Sequence, residues 1–191
     1  SAVRDALSEG RLADAAALLG RPYSISGHVV HGRRLGRELG ASSPGAGDGF
    51  RTLNLRFSHW KPAASGIFVV AVHGLDPSPG APPMAGVANL GIRPSLDPTD
   101  VNGGRVLLET HCLDWPEAVK ADLARARVPG EAYGKIVRVD LLHKLHDELK
   151  YDNLDALTAG IAQDRDHARA WLRAQPASHA SVRRQTTRDR I

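Results

Sequence analysis

The chain has 191 residues, 42% hydrophobic and 24% charged, with a formal net charge of +4. These values fit one ordinary folded domain with short appendages and exclude a disordered or fibrous chain. The single cysteine, Cys112, excludes an internal disulfide and a multi-cysteine metal site, and no apolar run is long enough to span a bilayer.

A lone cysteine and the lack of a signal-peptide pattern make the cytoplasm the expected location, with no membrane partner. The positive charge is concentrated at the end: Arg183, Arg184, Arg188 and Arg190 fall in the last nine residues. Without them the remainder is near neutral. The basicity therefore reads as a solvated tail, and no nucleic-acid partner is expected.

Taken in order, residues 1–19 place Leu7, Leu12, Ala15, Ala16 and Leu19 at helical spacing. Gly10 splits them into two short helices, and Gly20 with Pro22 stops the second. From Ser24 to His31 the period changes to two, which predicts a strand. Further strands are predicted over Gly66–Gly74 (GIFVVAVHG), Met84–Gly91 (MAGVANLG), Arg105–Leu113 (RVLLETHCL) and Lys135–Leu145 (KIVRVDLLHKL). The proline-rich stretch from Leu75 to Pro83 and the polar one from Asp97 to Gly104 read as loops. A short helix is expected within residues 116–127. Asn153 reads as the N-cap of a long amphipathic helix from Leu154 to Ala174, acidic early and basic late. Residues 175–191 show no periodicity and are expected to be a disordered basic tail. Strands in a run with helices at both ends suggest a mainly β domain, a small antiparallel barrel or sandwich rather than a parallel sheet.

Two regions could carry chemistry. In Gly32–Leu55 (GRRLGRELGASSPGAGDGFRTLNL), glycines at 32, 36 and 40 stand beside Arg33, Arg34 and Arg37. Glycines let backbone N–H groups approach an anion, and arginines favour phosphate. Thr52 and Asn54 would share a face if the segment is extended, and both offer oxygen ligands suited to Mg²⁺. The plainer alternative is a surface loop. The second region is the pair Glu109 and His111, which share a strand face opposite Leu108, Thr110 and Cys112. On an inner face such a pair needs partners and is a candidate acid/base site. The alternative is the solvent side of a half-buried strand. The nine histidines are scattered and do not suggest a metal cluster.

From Leu19 to Leu172 the chain resembles bacterial riboflavin kinase, the C-terminal module of bifunctional riboflavin kinase/FMN adenylyltransferases (FAD synthetases). The resemblance rests on LLGRPYSISGHVVHGRRLGRELG, TLNL, SGIFVV, GVANLGIRPS, LLETHCLDW, YGK and LHDELKYDNLDALTAGIAQD, in that order. It implies a six-stranded antiparallel Greek-key barrel with a C-terminal helix. It also implies transfer of the γ-phosphate of ATP to the ribityl 5′-hydroxyl of riboflavin, giving FMN. Gly32, Gly36 and Gly40 would cover the ATP phosphates. Thr52 and Asn54 would hold Mg²⁺ and phosphate oxygens, and Glu109 would be the catalytic base. Residues 1–19 would be the helical end of a preceding adenylyltransferase module, since SAVRDAL resembles that module's last motif. Residues 20–174 would form the kinase domain. The chain is accordingly expected to begin inside a longer protein able to carry FMN on to FAD.

Three departures from the family pattern stand out. Residues 41–49 (ASSPGAGDG) intervene before Thr52, with Arg51 where the family has proline. Residues 116–129 form a second insertion. His146 stands where arginine is usual. The first departure motivates an alternative: a flavin- or nucleotide-binding module with impaired catalysis. A nucleic-acid-binding β-barrel is the remote one.

Overall fold

The computed structural model describes residues 1–30, 52–56, 62–76, 79–93, 105–114 and 135–175. Six strands form a closed barrel: β1 (Tyr23–Val30), β2 (Thr52–Arg56), β3 (Gly66–His73), β4 (Met84–Arg93), β5 (Arg105–Cys112) and β6 (Ile136–His146). Around the barrel the order is β1-β2-β5-β4-β3-β6, and every pairing is antiparallel. The run β3-β4-β5 is a meander. The links from β2 to β3 and from β5 to β6 each pass over two strands, the Greek-key feature that the resemblance implies. Closure removes the exposed edges an open sheet of this size would carry. The eleven-residue β6 achieves it by pairing with β1 on one side and β3 on the other.

Each strand found from periodicity is present within two residues of its expected ends, and β2 is the sixth. The alternation works as expected in β1, where Ile25, Gly27 and Val29 are buried while Ser26 and His28 are exposed. In β6 one member of the apolar set, Ile136, faces solvent at the strand's start. The barrel interior is filled by Val29, Leu53, Leu55, Phe68, Val70, Val72, Ala88, Leu90, Leu108, Val137, Val139 and Leu141, among others. With only three phenylalanines in the chain, this core is aliphatic.

A second, smaller cluster lies outside the barrel. Val69, Ala85 and Leu113 pack there with Ala168, Trp171 and Leu172 of the long helix α3 (Leu154–Ala174). This explains why β3 reads as a continuous apolar run. Phe68, Val70 and Val72 face inward, while Val69 faces the outer cluster. Asn153 caps α3 as expected, its Oδ1 accepting from Ala156 N–H at 2.8 Å. His143 of β6 stacks on Trp171 with ring centroids 5.1 Å apart and planes inclined by 7°. Arg169 donates to the carbonyl of Leu113 and to Asp114 Oδ1, fastening the helix to the end of β5.

The two N-terminal helices, α1 (Ala2–Ser8) and α2 (Leu12–Leu19), are separated at Gly10, and α2 stops at Gly20 with φ of 70°. Ala6, Leu7, Leu12 and Ala15 belong to the same hydrophobic cluster as the barrel interior. At the start of β3, Gly66 adopts φ of 117°, and a Cβ there would lie 2.6 Å from the carbonyl oxygen of His146. Only glycine permits that approach of β3 to β6. The expected helix within residues 116–127 and the tail beyond Gln175 lie outside the described residues.

Candidate active site

β5 lies between β2 and β4, and the register of these three strands assembles the site. Asn54 pairs with Glu109, and Glu109 pairs with Asn89. In the next row Thr52 pairs with His111, and His111 with Val87. Directly paired residues point to the same face, with Cβ atoms roughly 4.5–5.5 Å apart. The chain therefore brings together Thr52, Asn54, Asn89, Glu109 and His111, drawn from three strands.

This face is the outside of the barrel, because the intervening residues Leu53, Leu55, Leu108 and Cys112 fill the interior. The expectation that Glu109 and His111 share a face opposite Leu108, Thr110 and Cys112 holds. Of the two placements left open, inner face or outer side of the strand, the outer one is found. The barrel is too narrow and too apolar to admit two ionisable groups, so the register turns them outward. Outward is not exposed here: His111 is 8% and Asn54 4% solvent-accessible, while Glu109 and Asn89 are intermediate and Thr52 is exposed. The outer cluster beneath α3 continues into this face through Val87.

Two buried oxygens on this face, Oδ1 of Asn54 and Oδ1 of Asn89, have no hydrogen-bond partner among the described residues. A buried amide oxygen without a partner costs about 1–3 kcal/mol, so both positions favour a cation or a hydrogen-bond donor from beyond the described residues. Asn54 Oδ1 with the Thr52 hydroxyl is a neutral, hard-oxygen donor pair on one strand face, which fits Mg²⁺ completed by phosphate oxygens and water. No cluster of three or more His, Cys, Asp or Glu suited to a metal exists among the described residues. Gly32, Gly36 and Gly40 lie outside the described residues. So does the 41–49 insertion with Arg51.

Thr52, Asn54, Glu109 and His111 are the expected residues that this face brings together, and Asn89 joins them without having been expected. An asparagine in the middle of the apolar run MAGVANLG was the available signal. Cys112 is fully buried, and burial pushes its thiol far above the usual range, which suits an inert core residue and not a nucleophile. His146 finds a substitute for the charge lost with arginine. Its Nε2 lies 2.7 Å from Asp164 Oδ1 on α3, and its Nδ1 lies 2.6 Å from the carbonyl oxygen of Asp147. Both ring nitrogens thus face acceptors, which favours the imidazolium. Burial alone would lower its pKa, but the Asp147 carbonyl and the Asp164 carboxylate outweigh it and raise the value.

Comparison with known proteins identifies the chain's relatives. The family model described as Flavokinase, riboflavin kinase, matches residues 19–172. The bifunctional riboflavin kinase/FMN adenylyltransferase of Escherichia coli K12 is 39% identical over 172 residues, covering 90% of this chain and 45% of that protein. The Haemophilus influenzae protein of the same description is 32% identical over 172 residues, covering 90% and 46%. Among solved structures, one described as a macrolide-efflux protein from Streptococcus pneumoniae superposes with a TM-score of 0.63. It is 25% identical and covers 88% of this chain and 45% of that one. The chain spans about half the length of the curated relatives it matches. A closed six-stranded barrel, a C-terminal helix and a family match across most of the residues lead to one conclusion: the chain belongs to the riboflavin kinase family.

Proposed function

We propose that this chain transfers the γ-phosphoryl group of ATP to the ribityl 5′-hydroxyl of riboflavin, giving FMN and ADP. The observation that carries the proposal is the register that places Thr52 and Asn54 of β2 beside Glu109 of β5 on one partly buried face. A phosphoryl-transfer site needs little covalent help from the protein. It needs the nucleophile, the phosphate and the charge-neutralising groups held together.

Glu109 accepts the proton of the 5′-hydroxyl as its oxygen attacks the γ-phosphorus. The new P–O bond forms in line with the bond to ADP, which breaks and leaves with its electron pair. Thr52 and Asn54 would hold Mg²⁺, which on binding supplies neutralisation of phosphate charge. Gly32, Gly36 and Gly40 would present backbone N–H groups to the ATP phosphates. His111, one row along β5 and nearly buried, orients the site rather than exchanging protons with substrate. The longer protein to which the chain corresponds would also carry an adenylyltransferase module that converts FMN to FAD, and would reside in the cytoplasm.

The test is FMN formation by the purified chain with riboflavin, ATP and Mg²⁺. Loss of a general base costs typically 10²–10⁴-fold, so Glu109→Gln should lower kcat by about that factor. Its thermal midpoint should stay near that of the parent. Undiminished turnover in the Gln variant would refute the assignment.

A further inference from the structure

The polar row has a second flank. Asn54 and Asn89 stand on opposite sides of Glu109, one on β2 and one on β4, and each buries an amide oxygen that has no partner among the described residues. The β2 flank carries Thr52 as well, which makes it the side of metal and phosphate in the proposed reaction. The β4 flank differs in chemistry. Along the same face of β4, Asn89 is followed two residues on by Gly91. A Cβ at Gly91 would lie 2.7 Å from Cδ of Glu148, so the Glu148 carboxylate rests against the bare backbone there. The β4 flank therefore presents acceptors: Asn89 Oδ1, the Glu109 carboxylate and the Glu148 carboxylate. Phosphate oxygens are acceptors too and would meet repulsion on this side. A chain of hydroxyl groups, each with a proton to donate, is the complementary ligand.

Resting on the kinase reading above, we propose that Asn89 is the residue that recognises the polyol of the acceptor substrate. Its Oδ1 accepts from the 4′-hydroxyl while Glu109 receives the proton of the neighbouring 5′-hydroxyl. Adjacent hydroxyls on a sugar alcohol are separated by roughly the length of a hydrogen bond, and paired strand residues have Cβ atoms roughly 5 Å apart. One polyol can therefore reach both side chains. Asn89 thus selects which hydroxyl is phosphorylated: engagement of the penultimate hydroxyl leaves the terminal one at the base. The row across the sheet reads metal and phosphate at Asn54, proton transfer at Glu109, and acceptor alignment at Asn89.

The experiment pairs a protein change with a substrate change. Riboflavin and its 4′-deoxyribityl analogue are compared as acceptors for the parent chain, Asn89→Ala and Asn89→Val, with thermal midpoints confirming folding. Valine suits a strand and deletes the same oxygen, so it serves if the alanine variant does not fold. The parent should prefer riboflavin over the analogue by on the order of tenfold in kcat/KM, the worth of one hydrogen bond to a site built for it. Both variants should lose that preference and leave the KM for ATP unchanged. A preference that survives in an active variant, or none in the parent, would overturn the assignment. Total absence of FMN from the parent would overturn the kinase reading itself and the Asn89 role with it, a result distinct from retained preference in an active enzyme.

Discussion

Gly160, in the first half of α3, yields a prediction whose sign runs against helix propensity. Replacing a helical glycine with alanine ordinarily stabilises by about 1 kcal/mol. Here a Cβ at position 160 would fall on the ring of Tyr151, 2.5 Å from Cζ and 2.6 Å from Cε1, with the hydroxyl oxygen closer still. Ordinary carbon–carbon contact is about 3.5–4.0 Å, so the ring would have to move by roughly 1 Å. Tyr151 is partly buried in the segment that turns the chain from β6 into α3, so the displacement strains that junction. Overpacking of this kind costs about 1–3 kcal/mol, which equals or exceeds the propensity gain. Gly160→Ala should therefore be neutral or destabilising by up to about 2 kcal/mol. With Tyr151→Ala already present, the same substitution should stabilise by about 1 kcal/mol, since only the propensity effect remains. Urea unfolding of the four proteins in this cycle gives the coupling directly. A stabilising Gly160→Ala in the parent background would refute the reasoning.

Two further outcomes follow from the helix and its anchors. The pKa of His146 is raised in the folded state, so its contribution is complete below the ordinary histidine value of about 6.5 and fades as pH rises through the folded value. Relative to His146→Gln, the parent should lose stability as pH rises above about 6.5, and equal pH slopes in thermal melts would contradict this. Asn153→Ala removes the cap on α3 and should cost about 1 kcal/mol in urea unfolding with no change in m-value; a cost near zero would show that the cap is redundant.

The strands were legible because burial on a barrel wall imposes a period of two, and because β3, buried on both faces, imposes a continuous apolar run. The helices were legible through Gly20, Asn153 and a 3.6-residue period. What could not be read was which strand lies next to which. Thr52 and Glu109 are far apart in sequence, and only the crossing of β2 over the meander makes them neighbours. The same ignorance of topology left open which side of the wall carries Glu109 and His111, since period alone separates two faces without saying which is inside. Asn89 escaped notice for a related reason. The lone asparagine in the apolar run MAGVANLG gains a meaning only when its lateral neighbours are known. His146 looked like a loss against the family's arginine because the acceptor that restores its charge, Asp164, comes from α3 and not from nearby sequence.

The family match begins at residue 19, yet the hydrophobic core begins at Ala6. Leu7 and Ala15 are as deeply buried as the barrel's own valines. Between the two helices, Gly10 sits against the side chain of Lys144, whose far end lies over Gly66, the glycine that opens β3. A segment that sequence comparison would trim as a leader therefore acts as the barrel's stopper. Any rearrangement that withdrew it would uncover aliphatic surface and release the junction of β3 and β6 together. The stopper comes first in the chain, so a displacement of the two N-terminal helices reaches the barrel through its core and not across a slack tether.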